Sequence, residues 1–401
     1  MKDIVLLKNN VMKKIKKRKI CFVINSRANF GRVSLLLKEL KKLKNCEMQI
    51  ILGASSLLYK FGDISKLLKK EKIKINAKFY SIIEGESLLT MTKSAGHTVT
   101  ELSNIFDNIK PDVVVVLADR FENLPVVICA SYMNIPLAHI QGGEITGSID
   151  EKVRHAITKL SDMHFTATER SKNFVIRMGE NPKMVFNTGC PSIDLVKNVN
   201  SKLSIKKFEK FGVGSNLKSR DKYIIVMQHP VTTEIKSTTF QIAETIKAVK
   251  KISNERKLKV IWFWPNIDAG NDKISIMLRK FREIEKPKNI IFIKNLPPDL
   301  FIQLLKGCQC MIGNSSSGIR EGSFIGVPYV NIGNRQDGRE KCSNVVSVNY
   351  NSNEIIKASN KVLKKGFIKC NKLYGKGNSS KIIAKLLLKL PLTHTKKINY
   401  I

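Results

Sequence analysis

The chain has 401 residues, 43% hydrophobic and 26% charged, with 70 Lys and Arg against 33 Asp and Glu for a formal net charge of +37. That length exceeds one ordinary core and suits two, and the balance of apolar and charged residues excludes a disordered chain. No apolar run approaches the roughly 18 residues of a membrane-spanning helix, and Ile4–Leu7 is too short for a signal-peptide core, so a cytoplasmic protein without membrane contact is expected.

The lysines are spread along the chain, with clusters at Lys13–Lys19, Lys38–Lys44 and Lys69–Lys74 interleaved with Ile, Leu and Asn. No basic stripe is joined to aromatics and no zinc-finger spacing occurs, so nucleic acid is not an expected partner; the charge helps steer an anionic ligand. Cys21, Cys46, Cys129, Cys190, Cys308, Cys310, Cys342 and Cys370 contain no C-x-x-C pair and sit mostly in apolar stretches. Buried reduced thiols are expected, not disulfides or a zinc site.

In chain order, residues 1–17 read as a basic extension. Periodicity then predicts a strand at Lys19–Asn25, a helix at Gly31–Leu43 and a strand at Met48–Leu52. A helix at Val99–Ile109, the strand Val113–Ala118, a helix at Phe121–Tyr132 and the strand Pro136–Ile140 follow. A glycine-containing loop leads to a helix at Asp150–Leu160, and strands at Asp162–Ala167 and Met184–Asn187 close this half. The polar stretch Leu203–Leu217 carries the expected boundary. Beyond it come the strand Tyr223–Met227, a helix at Gln241–Ile252, the strand Leu258–Trp264, a helix near Ile274–Glu283 and the strand Ile290–Ile293. A helix at Pro298–Leu305, the strand Cys310–Ile312, a helix at Gly318–Phe324, the strand Tyr329–Ile332 and a closing helix at Ile382–Leu388 complete the chain. Strand–helix alternation in both halves predicts an α/β protein of two doubly wound parallel sheets: domains at 18–205 and 206–375, and a closing helix and tail at 376–401. Such sheets bind ligands at the carboxyl ends of their strands, which places a substrate in a cleft between them.

The strongest anion signal is Gly313-Asn314-Ser315-Ser316-Ser317-Gly318, between a predicted strand and a predicted helix. Unpaired N–H groups and hydroxyls there suit a diphosphate, although one serine alone would serve as an ordinary N-cap. Glu321, one turn on, either accepts from ribose hydroxyls or is a solvated first-turn acid. Arg27 stands at the end of the first strand, where a guanidinium can hold phosphate. His229 follows the strand Tyr223–Met227 and can donate to a phosphate oxygen or move a proton. Asn266 and Asp268 follow another strand, as ligand contacts or as turn formers. In the first half, Asp119 and Arg120 end the central strand, His139, Gln141 and Glu144 follow the next, and Asp150 opens a helix, a grouping suited to acid–base chemistry. Bland readings stand beside these: Asp150 paired with Arg154 on the helix surface, Glu151 in a capping box with Ser148, and His155 as a satisfied core histidine. No G-x-G-x-x-G follows the first strand and no P-loop occurs.

Together these segments resemble the hydrolysing UDP-N-acetylglucosamine 2-epimerases. The matching stretches are Ser26–Phe30, Ala118–Glu122, His139–Glu144, Gly147–Asp150, Arg154–Leu160, Gln228–Thr233, Pro265–Gly270, Gly313–Glu321 and Arg335–Glu340, in family order from about residue 19 to 390. The resemblance implies a GT-B-like pair of Rossmann-like domains facing a central cleft, a UDP-sugar substrate, a homo-oligomer, and neither metal nor cofactor. It implies conversion of UDP-GlcNAc and water to N-acetylmannosamine and UDP, in sialic or nonulosonic acid biosynthesis, through UDP elimination to a glycal and hydration with inversion at C2. The implied catalytic group is Asp119, Gln141, Glu144, Asp150 and His155. The implied substrate contacts are Arg27, Arg120, His229, Asn266, Ser315, Ser316, Ser317, Glu321 and Arg335. Many relatives carry Glu where this chain has Gln141, which cannot titrate; either Glu144 or Asp150 covers the base role, or that Glu is not an essential base. The same chemistry on a UDP-2,4-diacetamido-trideoxyhexose, or a non-hydrolysing epimerisation, remains as an alternative.

Overall fold

A computed structural model describes residues 17–59, 64–85 and 87–399; the basic extension expected over 1–17 lies outside these, Lys17 apart. The first sheet joins β1 (Arg18–Ile24), β2 (Cys46–Leu52), β3 (Ala77–Lys78), β4 (Val113–Leu117), β5 (Leu137–Ile140), β6 (Met163–Thr166) and β7 (Val185–Asn187) in the order β3-β2-β1-β4-β5-β6-β7. Every pairing in it is parallel. All five residues of β4 are buried, as a parallel strand covered on both faces requires. One face packs Phe22, Leu36 and Phe165, the other Val114, Val126 and Phe106.

The second sheet joins β8 (Gly212–Gly214), β9 (Tyr223–Met227), β10 (Lys259–Phe263), β11 (Ile290–Ile293), β12 (Met311–Gly313), β13 (Tyr329–Ile332) and β14 (Val345–Val348) in the order β14-β13-β12-β9-β10-β11-β8. It corrects the all-parallel expectation, because β8 runs antiparallel to β11 along the sheet's edge. Three residues with two glycines carry no readable alternation, and the strand falls inside the stretch expected to be only a boundary.

Two helices begin earlier than their apolar periodicity predicts. The helix Arg27–Lys41 starts four residues before Gly31 because Ser26 caps it, its hydroxyl accepting from the Asn29 N–H. The helix Leu88–Ile109 starts at a capping box between Ser87 and Thr90. Its first turns bury Ser94 and Thr98, whose hydroxyls bond to their own helix's carbonyls, so its polar start hides a buried face. Of the cysteines, all are free thiols as expected, though Cys370 is exposed and Cys46 half-buried.

In both sheets the strand order reverses at one place, between β1 and β4 and between β9 and β12. Ligands of doubly wound sheets sit outside such reversals. The halves are joined by apolar packing of Cys190 and Ile193 with Leu300, Leu304, Ile319 and Tyr374. A close backbone approach adds to it: the Gly147 N–H donates to the Arg335 carbonyl at 3.3 Å, and a Cβ on Gly147 would lie 2.1 Å from the Asn334 carbonyl oxygen. The chain then returns to the first sheet, where Ile383, Ala384 and Leu387 of the helix Ser379–Lys389 enter the core.

Asp194, on the helix Pro191–Asn198, sets that return. Its carboxylate accepts from the backbone N–H groups of Ser379 at 3.0 Å and Ser380 at 2.6 Å, holding the otherwise uncapped end of the last helix. We expect Asp194→Ala to lose about 1–2 kcal/mol of stability, as for other lost N-caps. Thermal unfolding with limited proteolysis checks this: the midpoint falls and the last helix is cleaved first, whereas an unchanged midpoint and cleavage pattern would show that the cap does not hold the segment.

Candidate active site

A cleft of about 1130 Å³ of empty space, part of it open to solvent, runs between the sheets at their carboxyl ends. The first domain lines it with Ser26, Arg27, Arg32 and Arg120. The second contributes His229, Asn266, Ser317 and Glu321, with Phe263, Trp264 and Phe301 as an apolar flank.

On the second-domain side, β12 ends at Gly313, whose φ of +136° and close approach to the Met227 carbonyl leave no room for a Cβ. The chain turns there into the helix Ser316–Ile325. Ser315 caps it through a long 3.4 Å bond from the Ser317 N–H, so the capping reading of this serine holds, while Ser316 and Ser317 are left for other partners. Asn314 locks the adjacent strand end: its amide accepts from the His229 N–H and donates to the His229 carbonyl, both at 2.8 Å. The His229 ring accepts at Nδ1 from the Asn266 N–H at 3.2 Å, which puts its proton on Nε2. Burial, aided by Arg335, pushes this histidine down to about 3. It is therefore a neutral N–H donor at physiological pH.

The first-domain side holds the acids. Ala118 and Gln141, at the ends of β4 and β5, have φ of +60° and +69°, left-handed conformations that non-glycine residues seldom adopt and that concentrate at working sites. Asp119 ion-pairs with Arg154 and lies 3.8 Å from Arg339. Burial would raise its carboxyl, but Arg154, Arg339 and Arg32 overcome this and hold it far below the usual carboxylate range. Asp150 goes the other way. Burial and the Asp119 charge raise it to about 6, against the opposing pull of Arg335, whose Nη2 is 3.5 Å away.

Several expected residues have different duties. Asp150 pairs with Arg335 across the cleft and not with Arg154, whose guanidinium is taken by Asp119 and Glu151. Glu144 is only 4% exposed and is held by Arg320 at 2.6 Å and by Arg339; these cations overcome the effect of burial and keep it ionised, so it ties the two domains together. Glu151 is structural as expected but forms no capping box: it accepts from the Thr146 N–H, Arg154 and the His155 ring. His155 is a half-buried helix residue and not a core histidine. His139 is the core histidine, bonded to the Thr158 hydroxyl and the Ala118 carbonyl. Glu321 is 6% exposed with a buried, unpartnered Oε2, which rules out the solvated-acid reading. Arg120 is held by Glu122 at 2.9 Å and Asp268 at 3.2 Å, so Asp268 is more than a turn former. Arg27 donates to Asn295 at 2.5 Å. Gln141 is fully buried, accepting from Arg32 and donating to the Cys190 sulfur.

Sequence reasoning missed Arg32, Asn295 and Arg320. Asn295 lies two residues past β11, the kind of strand-end position that identified His229. Arg32 stands next to the buried stripe of Phe30 and Val33, the only sign that it is not a surface cation. Among the described residues, no cluster of three or more His, Cys, Asp or Glu could hold a metal ion, and no helix is long and apolar enough to cross a membrane.

Two Rossmann-like domains with a cleft at both strand-order reversals define a GT-B-type α/β protein. A solved structure with the same architecture is that of the UDP-GlcNAc 2-epimerase from Neisseria meningitidis bound to UDP-GlcNAc, at 19% identity and a TM-score of 0.75, covering 93% of this chain and 100% of that one. The family model described as UDP-N-acetylglucosamine 2-epimerase matches residues 38–388, and the chain belongs to this family. It is 32% identical over 382 residues to a UDP-N,N'-diacetylbacillosamine 2-epimerase (hydrolyzing) of Legionella pneumophila, covering 95% of this chain and 98% of the relative. It is 34% identical over 336 residues to a GDP/UDP-N,N'-diacetylbacillosamine 2-epimerase (hydrolyzing) of Campylobacter jejuni, covering 84% and 85%.

The opposed environments of Asp119 and Asp150 give a two-sign test. The Asp150 carboxyl should titrate near pH 6. Arg335→Ala removes an attracting cation and should raise that midpoint, and Asp119→Asn removes a repelling anion and should lower it. NMR titration of labelled aspartate carboxyls reads both; movement in the same direction in the two variants contradicts the placement of these charges.

Proposed function

We propose that the cleft hydrolyses a UDP-activated 2-acetamido sugar with inversion at C2. The observation that carries this reading is the split between Asp119 and Asp150, facing across the cleft a set of neutral and cationic donors suited to a leaving diphosphate. Two neighbouring carboxyls whose surroundings push them apart in pKa are the usual sign of divided roles.

The C2 proton of such a sugar is poorly acidic until the C1–O bond to UDP weakens and positive charge develops on the ring. Arg27, His229, Arg335 and the N–H groups and hydroxyls at Ser315 to Ser317 bind the departing diphosphate, and Glu321 accepts from the ribose. Asp119, ionised throughout, opposes the ring's growing positive charge. Asp150 has a pKa nearer to neutrality and takes the C2 proton, leaving a glycal and UDP. Water then adds to C1 while a solvent-derived proton reaches C2 on the other face, releasing the free 2-epimer. Gln141 moves no proton, and Glu144, locked by Arg320 and Arg339, holds the domains together.

For the sugar, the two relatives at 32% and 34% identity, both named for N,N'-diacetylbacillosamine, favour a UDP-2,4-diacetamido-trideoxyhexose. UDP-GlcNAc, the sugar in the family's description, is the second reading.

Incubating the protein with each UDP-sugar in heavy water and reading products by NMR tests this. A free 2-epimer deuterated at C2, together with UDP, is the expected outcome. An intact UDP-linked epimer would make the enzyme non-hydrolysing, and no turnover of either sugar would end the reading. Asp150→Asn should lose at least about 10²-fold in rate, and His229→Ala about 10²–10³-fold, as for one preorganised donor. The rate should fall as pH drops through about 6 because protonated Asp150 cannot accept a proton. EDTA should leave it unchanged; a strict requirement for added Mg²⁺ or Mn²⁺ would point to a different chemistry.

A further inference from the structure

We propose that His139 is a positioning residue: from beneath the cleft it holds the Ala118 carbonyl and so fixes how Asp119 leaves β4. Only the assignment of Asp119 to the reacting ring rests on the proposed reaction; the hold itself is a property of the fold.

His139 stands on the fully buried strand β5, paired with Val116 of β4 on one side and with His164 of β6 on the other. It is 0% exposed and does not line the cleft. A polar ring in such a strand is costly unless both nitrogens are satisfied. Here both are: Nε2 lies 3.0 Å from the Ala118 carbonyl oxygen, and Nδ1 lies 3.1 Å from the Thr158 hydroxyl. A carbonyl can only accept, so Nε2 carries the proton and Nδ1 accepts from Thr158. Burial pushes the ring down to about 3; His164 and Arg154 add to this, and the Ala118 carbonyl and Asp119 oppose it. His139 is therefore a neutral donor.

Its two bonds join the two pieces of chain that carry the acids. Ala118 is held on both sides of its left-handed φ of +60°: its N–H donates to the Ile140 carbonyl at 2.8 Å, and its carbonyl accepts from His139. The peptide unit is planar, so a fixed carbonyl also fixes the N–H of Asp119 and the course of the chain there. Thr158, at the other nitrogen, belongs to the helix Asp150–Leu160. Asp150, Arg154 and Thr158 follow one another at intervals of four and share one face of that helix. Arg154 ion-pairs with Asp119, and Asp150 with Arg335 across the cleft. The imidazole is thus a brace between strand end and helix, and it sets the spacing of Asp119 from Arg154 and Asp150. Gly142 closes over it: a Cβ there would lie 2.8 Å from His139 Nδ1 and 2.9 Å from the Thr158 hydroxyl.

An apolar side chain would fill the same space without the brace. The Ala118 conformation persists only where its surroundings over-determine it, and a donor to its carbonyl is what leucine cannot supply. Asp119 is faced by Arg154, Arg339 and Arg32, and Asp150 by Asp119, Arg335, Asp268 and Arg154. None of these groups is on β5. Loss of the neutral His139 ring therefore removes no charge from the acids and changes only where Asp119 stands.

NMR titration of labelled aspartate carboxyls, with turnover and UDP calorimetry, tests this on the full chain as wild type, His139→Leu, His139→Gln and Thr158→Val. His139→Leu should move the Asp150 midpoint from about 6 down toward the ordinary carboxylate range, because the Asp119 charge that raises it is no longer held beside it. It should lower kcat about 10- to 100-fold, as for a misplaced reacting group, with UDP affinity unchanged. His139→Gln places an amide N–H the same number of bonds from the backbone and should recover most of the midpoint and the rate. Thr158→Val frees the ring at one end only and should shift both in the same direction by less; it decides the matter if His139→Leu does not fold. If the variants fold and the Asp150 midpoint stays where it is, whatever happens to the melting temperature, Asp119 has not moved and His139 is a core residue only. The same conclusion follows if His139→Gln behaves as His139→Leu does. Wild-type protein that turns over no UDP-sugar would instead remove the proposed reaction, and the titration would still decide the brace.

Discussion

Buried charge at the junction of two domains is the constraint from which the rest of this structure follows. Glu144 leaves the end of the first sheet and meets Arg320 and Arg339 from the second domain, with Arg339 also reaching towards Asp119. Ions this deeply buried are tolerated only when each has its partner, and removing one member typically costs 3–5 kcal/mol because the other is left uncompensated. The network therefore fixes how the sheets face each other, together with the shared apolar contacts of Ile193, Leu304 and Ile319. The cleft between the two sheet ends has its shape because those pairs must be made.

The same network differentiates groups that are chemically alike. Asp119 and Asp150 are both aspartates at the cleft, yet three guanidiniums hold one ionised while burial and its neighbour's charge raise the other to about 6. His229 shows the complementary effect: surrounded by cations and removed from water, it stays neutral and can donate without carrying a charge. Arg27 and Arg32 remain the unanswered cations. Two carboxyls shifted in opposite directions and these cations without an ion pair thus stand together on the first-domain side, with the neutral donor His229 on the second-domain side.

The strain at Ala118 and Gln141 fits this arrangement. Both residues end central strands in left-handed conformations, immediately before Asp119 in one case and the Gly142-Gly143 turn in the other. Such conformations cost on the order of 1–3 kcal/mol each and persist where surrounding packing over-determines them. Here both neighbouring strands are fully buried, which supplies that packing.

The sequence by itself determined the alternation of strands and helices, the two-sheet class, and the strand ends where Arg27, Asp119, His229 and Ser315 stand. Those features are local: apolar runs, caps and glycine turns act over a few residues, and a doubly wound sheet places its strand ends on one side. Less was legible where the local signal is weak, as in the two-glycine edge strand β8 and the polar first turns of the helix Leu88–Ile109. Only the tertiary structure decided which charge answers which. Asp150 and Arg154 are four residues apart and look like a helix-surface pair, but Arg154 turns inward to Asp119 and Asp150 faces Arg335, which is 185 positions away in the chain. Arg32 and Gln141 meet across 109 positions and Glu144 and Arg320 across 176. Ion pairing depends on distance and on exclusion of water, both properties of the packed interface, so a residue's charge can be read from the chain but its compensation cannot.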